Sequence, residues 1–547
     1  MDYVSESIEH LGVVAGMYEE LGIGELLDNV IKQDLEQRHL SIGQCVKAMV
    51  LNGLGLAQRR LYLTADFFKN KPVDILLGEN VEATMITSDA LAGSLDDIYA
   101  NNASELFALA SSQAVKRLGL NPKIGHDDVT SFHVDGNYNN EALEDNQEDA
   151  RVVRLTRGYS RDHRPDLKQI ALELIVENEA KLPIAMRTLS GNTNDQTILQ
   201  ESVNRHIEQL QNVGIEVCVK DSAGYNKTAL QYHKTASLPW IMRVPERITE
   251  AKNLVKELPL DIFQPLTEGY SYHAICSQYG EVKQRWLVIH SDARQAGKHV
   301  QKKIRKLTDA DMKAIKQLSK QNFHCQADAL KALEKCVTTL KLTTITDYCI
   351  KEEKSYAKAG RPTDDAEVTI TYKIQSFPAS AIKMHQAICH QASRFIIATD
   401  SLEVDKLSDM EVLISYKNNQ KVESGFAFLK DPMFLANTIF LKKTERIIAL
   451  MMVMTLCLLV YAAIEHRIRK TLVTHNISVP DQKRKPTQNP TARWFFQLFL
   501  DVHILTIVAA NQRLTMNLRP DLLNLLAALG PHYFSKYPSI SLEGVGK

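Results

Sequence analysis

The chain lacks paired cysteines. Its eight, Cys45, Cys218, Cys276, Cys325, Cys336, Cys349, Cys389 and Cys457, are scattered over 547 residues with no C-x2-C spacing. This removes zinc-finger and disulfide-framework readings and fits reduced thiols in a cytoplasmic protein. Net charge is also missing, because 65 Lys plus Arg balance 65 Asp plus Glu. Any polyanion-facing surface must therefore come from local segregation of charge. The opening MDYVSESIEH has no basic region followed by an apolar run, so no signal peptide is expected. No internal repeat or low-complexity tract is visible.

Long hydrophobic runs are nearly absent. The exception is residues 447–464, IIALMMVMTLCLLVYAAI, whose polar residues are Thr455 and Tyr461. Its length reaches that of a membrane span. It stands alone, however, and basic residues flank it on both sides (Lys442, Lys443, Arg446; Arg467, Arg469, Lys470), leaving no asymmetry to orient it. A buried core helix is the expectation, with no membrane partner; an anchor is the competing reading.

What is present is ordinary for a soluble globular protein: 44% hydrophobic and 24% charged residues. The length implies two to four domains. Residues 1–118 read as a helical module, either a helix-turn-helix DNA reader or an oligomerisation bundle, with DNA-end binding preferred from its position. From about residue 122 the pattern turns to strands: 124–136, 152–155 and 170–176 suit an antiparallel meander. A helix over 196–213 follows, then a strand 214–220 ending at Asp221, and another at 239–244. Residues 246–392 break this rhythm with strand-like pieces (284–290, 368–374) and a very basic helix (298–320). A strand at 395–399 then resumes the core. Residues 471–490 read as a linker, and helices are expected at 494–507 and 520–529.

Tyr416 to Lys430, YKNNQKVESGFAFLK, read as one helix, sets Tyr416, Asn419, Glu423 and Lys430 within roughly a 60° arc. Val422, Phe426 and Leu429 form an apolar stripe beside them, and Asp431-Pro432 stops the helix. An ordinary amphipathic helix with a charged edge reads the same way. Two further acids stand out: Asp128, with Asp127 as its immediate competitor, and Asp221, which could equally cap a helix begun by Ser222-Ala223. Three acids from distant segments could hold a pair of hard divalent cations about 3.5 to 4 Å apart, the arrangement that drives in-line attack on a phosphodiester.

The spacing Tyr416-x2-Asn419-x3-Glu423-x6-Lys430 resembles the Y-x2-R-x3-E-x6-K signature of a group of bacterial insertion-sequence transposases, with Asn419 where that group has arginine. Asp128-Val129-Thr130-Ser131-Phe132 resembles the D-x-T-S-F at its first catalytic aspartate, and Asp221-Ser222-Ala223-Gly224-Tyr225-Asn226 its D-S/A-x-Y-N run. Gly158 to Gln169, Gly191-Asn192-Thr193-Asn194-Asp195 and Phe428-Leu429-Lys430-Asp431-Pro432 are similar to the same family. The resemblance spans about residues 120–470.

It implies an α/β fold, a ribonuclease-H-like mixed sheet flanked by helices, with an inserted α+β subdomain and helical N- and C-terminal regions. The implied division is 1–118, 119–245 (first part of the core), 246–392 (insertion), 393–470 (second part) and 471–547. It further implies a DDE transposase that cuts DNA at element ends and joins the 3′ ends to a target. Asp128, Asp221 and Glu423 would bind two Mg²⁺ or Mn²⁺ ions, and Tyr416, Asn419 and Lys430 would contact DNA. Its partners would be double-stranded DNA, both terminal inverted repeats and target, and a second copy in a homodimer bridging two ends, in a bacterial cytoplasm. The competing functions are a metal-dependent nuclease without strand transfer and a decayed DNA-binding protein.

Overall fold

A computed structural model describes residues 2–538 apart from 35, 37, 57–62, 135–152, 159–163, 165, 194–205, 236–237, 296, 357–367, 432–440 and 442. The chain forms two compact units, Met1–Met242 with Ile414–Lys547, and Arg243–Leu413.

In the first unit the strand order is Pro183–Ser190, Lys168–Glu177, Ile124–Val134, Val217–Lys220 and Trp240–Arg243. The first three are antiparallel neighbours, whereas Val217–Lys220 runs parallel to both Ile124–Val134 and Trp240–Arg243. Lys168–Glu177 is buried along almost its whole length, as its apolar run IALELIV requires of a strand covered on both faces. The meander differs from the sequence expectation in one member. Residues 153–155 form no strand; Thr156 makes a single bridge to Gln169. The third strand is Pro183–Ser190. It is brought back by a tight turn in which the Glu177 carboxylate accepts hydrogen bonds from the backbone N–H groups of Ala180 and Leu182 at 2.8 and 2.7 Å. Such a side-chain cap substitutes for ladder bonds that the turn cannot make.

The long apolar run lies inside helix Thr444–Thr474, where 94% of its most apolar window is buried. The helix packs against Ile42–Leu54, Ser88–Ala100, Ala103–Leu118 and Pro183–Ser190. A helix apolar on every side is stable in water only when surrounded in this way. Residues 1–118, read as a module of their own, share this core with the C-terminal region. Strand Tyr3–Ser7 pairs with His503–Ile507, and helix Leu11–Glu20 packs on Pro531–Phe534. The helix expected over 494–507 is shorter, Ala492–Gln497, and His503–Ile507 is a strand. Its HILTI sequence is β-branched, and Tyr3–Ser7 offers it a pairing edge. Pro520–Leu529 is helical as read, with proline in its first turn. The 471–490 stretch continues helix Thr444–Thr474 to its end and then makes a small hairpin, Val479–Pro480 with Pro486–Thr487.

The second unit holds four antiparallel strands in the order Arg394–Thr399, Gln284–Ser291, Tyr270–Ser277, Gln264–Thr267. The strand read as resuming the core thus pairs with Gln284–Ser291, with Ile397 opposite Leu287. A long hairpin, Thr343–Tyr356 with Val368–Ser380, carries helices Lys298–Lys320 and Gln326–Thr339. Their shared apolar centre is Leu318, Ala329, Leu333 and Ile374.

Candidate active site

Strands Ile124–Val134 and Val217–Lys220 lie side by side and parallel, with Asp127 opposite Lys220 at the last paired position. Side chains alternate between faces along a strand, so the two residues of each aligned pair share a face and the next two share the opposite one. On one face Lys220 Nζ lies 3.0 Å from Asp127 Oδ2, both side chains fully buried. His126 and Glu173 are buried nearby in sequence and register, and His233 is buried within range of the Lys220 charge. Burial, reinforced by the Lys220 charge, holds the His233 imidazole down to a pKa of about 2. Burial also pushes the Cys218 thiol up to about 12.

Asp128, the next residue on its strand, turns to the other face, and Asp221 follows Lys220 just past the end of Val217–Lys220. Asp128 is half-buried and Asp221 exposed. Asp128 Oδ1 accepts from its neighbour Val129 N at 2.7 Å. Asp221 Oδ1 accepts from Ser222 N at 2.6 Å and caps the short 3-10 turn Ser222–Gly224. The capping reading of Asp221 is therefore observed, but a carboxylate has about four acceptor sites, so a cap does not exhaust it. Asp127 and Asp128, equivalent in the sequence, are separated by the pleat: the first is an interior ion-pair partner and the second lies at the open face. The lysine ending the apolar strand VCVK was the one signal of a buried partner, and sequence reasoning passed over it.

The stretch 416–430 is two helices, Asp409–Lys417 and Gln420–Leu429. At the junction Asn419 N bonds Tyr416 O at 3.2 Å and Val422 N bonds Asn419 O at 3.2 Å. These are three-residue spacings that tighten the turn. Asn418 and Asn419 are poor helix formers whose amides compete with the backbone, and the single helix expected over 416–430 is divided there. Tyr416, half-buried, lies in the last turn of the first helix. Asn419 precedes the second with no side-chain cap, its Oδ1 buried without a hydrogen-bond partner among the described residues. Glu423 is exposed in the first turn, where the helix dipole favours a negative charge. It makes no hydrogen bond or ion pair with described residues.

Helix Gln420–Leu429 packs on Ile124–Val134 and Lys168–Glu177 through buried Val422, Phe426 and Leu429. Gly425 lets it approach helix Thr444–Thr474: a Cβ there would come within 3.2 Å of Leu458 Cδ2. Lys430 closes the helix with its ammonium 5.6 Å over the ring of Phe132. Phe132 is four residues beyond Asp128 and so on the same face of its strand. Asp431 pairs with Arg493 at 3.0 Å; Pro432 lies outside the described residues.

Two further motif stretches meet at the sheet edge. A Cβ on Gly158 would stand 2.1 Å from Gly191 O, and one on Gly191 would stand 2.0 Å from Gln169 O. Only hydrogen at both positions permits that approach. Gln169 Nε2 donates to Gly191 O at 2.7 Å. Residues 159–163, 165, 194 and 195 of these stretches lie outside the described residues.

Among the described residues no group of three or more His, Cys, Asp or Glu side chains converges closely enough to hold a metal ion. What the arrangement does bring together is backbone: Asp128 in the middle of its strand and Asp221 just past the carboxyl end of the parallel Val217–Lys220, each following a member of the last aligned pair, and a helix bearing a third acid packed on the Asp128 strand. In open α/β sheets that end is where ligands bind.

Residues 3–111 match a family described as a domain of unknown function, DUF4277. The matched stretch ends within helix Ala103–Leu118, ahead of the first site strand. No curated protein matches the chain. Among solved structures, a cryo-EM piggyBac transposase synaptic complex with hairpin DNA is similar at TM-score 0.37 and 8% identity, covering 97% of this chain and 88% of that one. The class defined by the coordinates is a mixed α/β protein whose first unit is a mixed sheet flanked by helices.

Proposed function

We propose that this chain is a DDE transposase of the insertion-sequence type, with Asp128, Asp221 and Glu423 as its catalytic acids. The observation that carries the reading is the placement of Asp128 and Asp221 immediately after the aligned pair Asp127 and Lys220, with the Glu423 helix packed on the Asp128 strand. Two carboxylates on neighbouring strands repel unless a cation lies between them. All three acids offer hard oxygen, the donor set suited to Mg²⁺ or Mn²⁺, which take few protein carboxylates and complete their shell with water and phosphate. Two such ions would supply charge stabilisation at the attacked phosphodiester. Water attack at the element end releases a 3′-hydroxyl, and that hydroxyl then displaces a 3′-oxygen of the target backbone.

Lys430 supplies a positive charge on the Asp128 face for a phosphate near the cut end. Tyr416 offers a phenol and Asn419 an amide toward the same DNA, without the charge an arginine would bring. The DNA is double-stranded, comprising the terminal inverted repeats and a target, and a homodimer brings the two ends together.

The test is cleavage of a labelled duplex carrying the inverted repeats that flank this coding sequence. Wild type should nick it only with Mg²⁺ or Mn²⁺, and Glu423→Gln should lower the rate by 10³-fold or more, on the order expected for loss of an essential group. Pre-cut ends should then be joined to target DNA. Hydrolysis without joining would make the protein a nuclease, and metal-independent or absent cleavage would remove the reading.

A further inference from the structure

Charge that cancels over the whole chain is concentrated on one helix of the second unit. Lys298–Lys320, KHVQKKIRKLTDADMKAIKQLSK, carries Lys298, Lys302, Lys303, Arg305, Lys306, Lys313, Lys316 and Lys320, against Asp309 and Asp311. At about 100° per residue, all the basic residues but Lys303 fall within roughly a 100° arc. Each of the eight is exposed, and among the described residues none forms an ion pair. A surface helix usually intersperses acids to support its lysines at i,i+4 spacing; here the only exposed acid is Asp309.

The opposite face shows why this orientation is held. Ile315 and Leu318 are buried, and Leu318 packs into the apolar centre beneath the hairpin. Asp311, 4% exposed, accepts from the backbone N–H groups of Lys341, Leu342 and Thr343 at 3.0, 2.6 and 2.9 Å. One of the two acids is thus consumed as an internal brace to the start of the hairpin, and the rest of the charge is turned outward. Lys313 and Lys316 also line an open groove of about 810 Å³, whose other side includes Lys351 and Lys373 of the hairpin. The Lys373 ammonium is shared with Glu353 at 2.5 Å.

We infer that the basic face of helix Lys298–Lys320, with the groove beside it, is a binding surface for the phosphate backbone of double-stranded DNA. This rests on the reading of the protein as one that handles DNA. The face runs about 33 Å along the helix axis, close to the roughly 34 Å repeat of a DNA duplex. Its contacts are lysine and arginine without interleaved aromatics. It therefore positions a duplex and reads no sequence.

The test compares full-length wild type with the variant Lys302→Gln, Lys306→Gln, Lys313→Gln, Lys316→Gln and with its four-fold Glu counterpart. Binding to a fluorescent random-sequence duplex is measured by anisotropy in EDTA, so that cleavage plays no part, across a series of salt concentrations. Each lost phosphate contact lowers the slope of log K against log salt by about 0.9. The Gln variant should lose about 2 to 4 from that slope and ten-fold or more in affinity at low salt, the Glu variant more, with unchanged circular dichroism. Wild-type affinity and slope in both variants would overturn the surface while leaving the catalytic reading intact. Failure of wild type to bind any duplex would remove the functional reading itself. Binding of wild type to anionic phosphatidylserine vesicles in place of duplex, lost in the Glu variant, would overturn DNA as the occupant.

Discussion

Two pairs of residues, one step apart along the same two chain segments, have opposite fates. Asp127 and Lys220 are fully buried and paired at 3.0 Å, whereas Asp128 is half-buried and Asp221 exposed. Burying a charge is expensive unless it is paired and hydrogen-bonded, so the interior position accepts only opposite signs. At the open face water screens the charges, and two acids can remain side by side at modest cost. The closed pair ties strand Ile124–Val134, ahead of its middle, to the end of Val217–Lys220, and so holds together the backbone that leads into Asp128 and Asp221. The contrast separates an acid enclosed by packing from one left accessible to solvent.

The comparison can be broken most severely from the closed side. Lys220→Met removes the cation paired with the buried Asp127 carboxylate, and should cost about 3–5 kcal/mol in denaturant unfolding. Adding Asp127→Leu should restore most of the loss, because two apolar groups of similar volume replace the pair at little net cost. A double variant as unstable as the single one would show that the pair acts through more than its charge. The same interior should be sensitive to acid. Folded His233 stays neutral down to about pH 2, while the unfolded chain takes up that proton near pH 6.5. The unfolded state then binds more protons, so stability is complete above pH 6.5 and declines by up to about 1.4 kcal/mol per unit below it. Urea unfolding at pH 7.5, 5.5 and 4.5 should show this slope in wild type and a shallower one in His233→Leu.

From the open side the stability effect should be small. Asp221→Asn removes one of two like charges and keeps an oxygen for Ser222 N, so metal-free stability should shift by less than about 0.5 kcal/mol while duplex cleavage disappears. A loss of 2 kcal/mol or more would mean that the acid is chiefly a cap. The smallest change expected is in Asn419→Arg, which restores a guanidinium beside the kink. End binding in a gel shift should tighten by a few-fold, on the order of one added charge-assisted contact; unchanged affinity would take residue 419 out of the DNA contact.

Much of the first unit was legible because its signals are local. Alternation and apolar runs marked Ile124–Val134 and Lys168–Glu177, an acid after a buried strand marked Asp221, and a lone apolar run marked a core helix. Other features were not. The kink at Asn418-Asn419 divides what periodicity reads as one helix, since the hydrophobic stripe continues across it. The Pro183–Ser190 strand was missed because its pairing depends on a turn closed by Glu177. Strand His503–Ile507 is the middle one of three, paired with nearby Gln512–Met516 and with Tyr3–Ser7, some 500 residues earlier, and that second partner lies beyond the reach of local pattern. Strand Arg394–Thr399 was legible as a strand, but not its neighbour.

By itself the sequence determined which stretches could be strands or helices, where apolar surface had to be hidden, and which acids stood at strand ends, because these follow from side-chain chemistry at short range. Tertiary structure alone decided that Asp127 is enclosed with Lys220 while Asp128, the next residue, is only half-buried. One residue's shift along a pleat exchanges the faces, and burial, which sets the cost of a charge, exists only once the chain has packed.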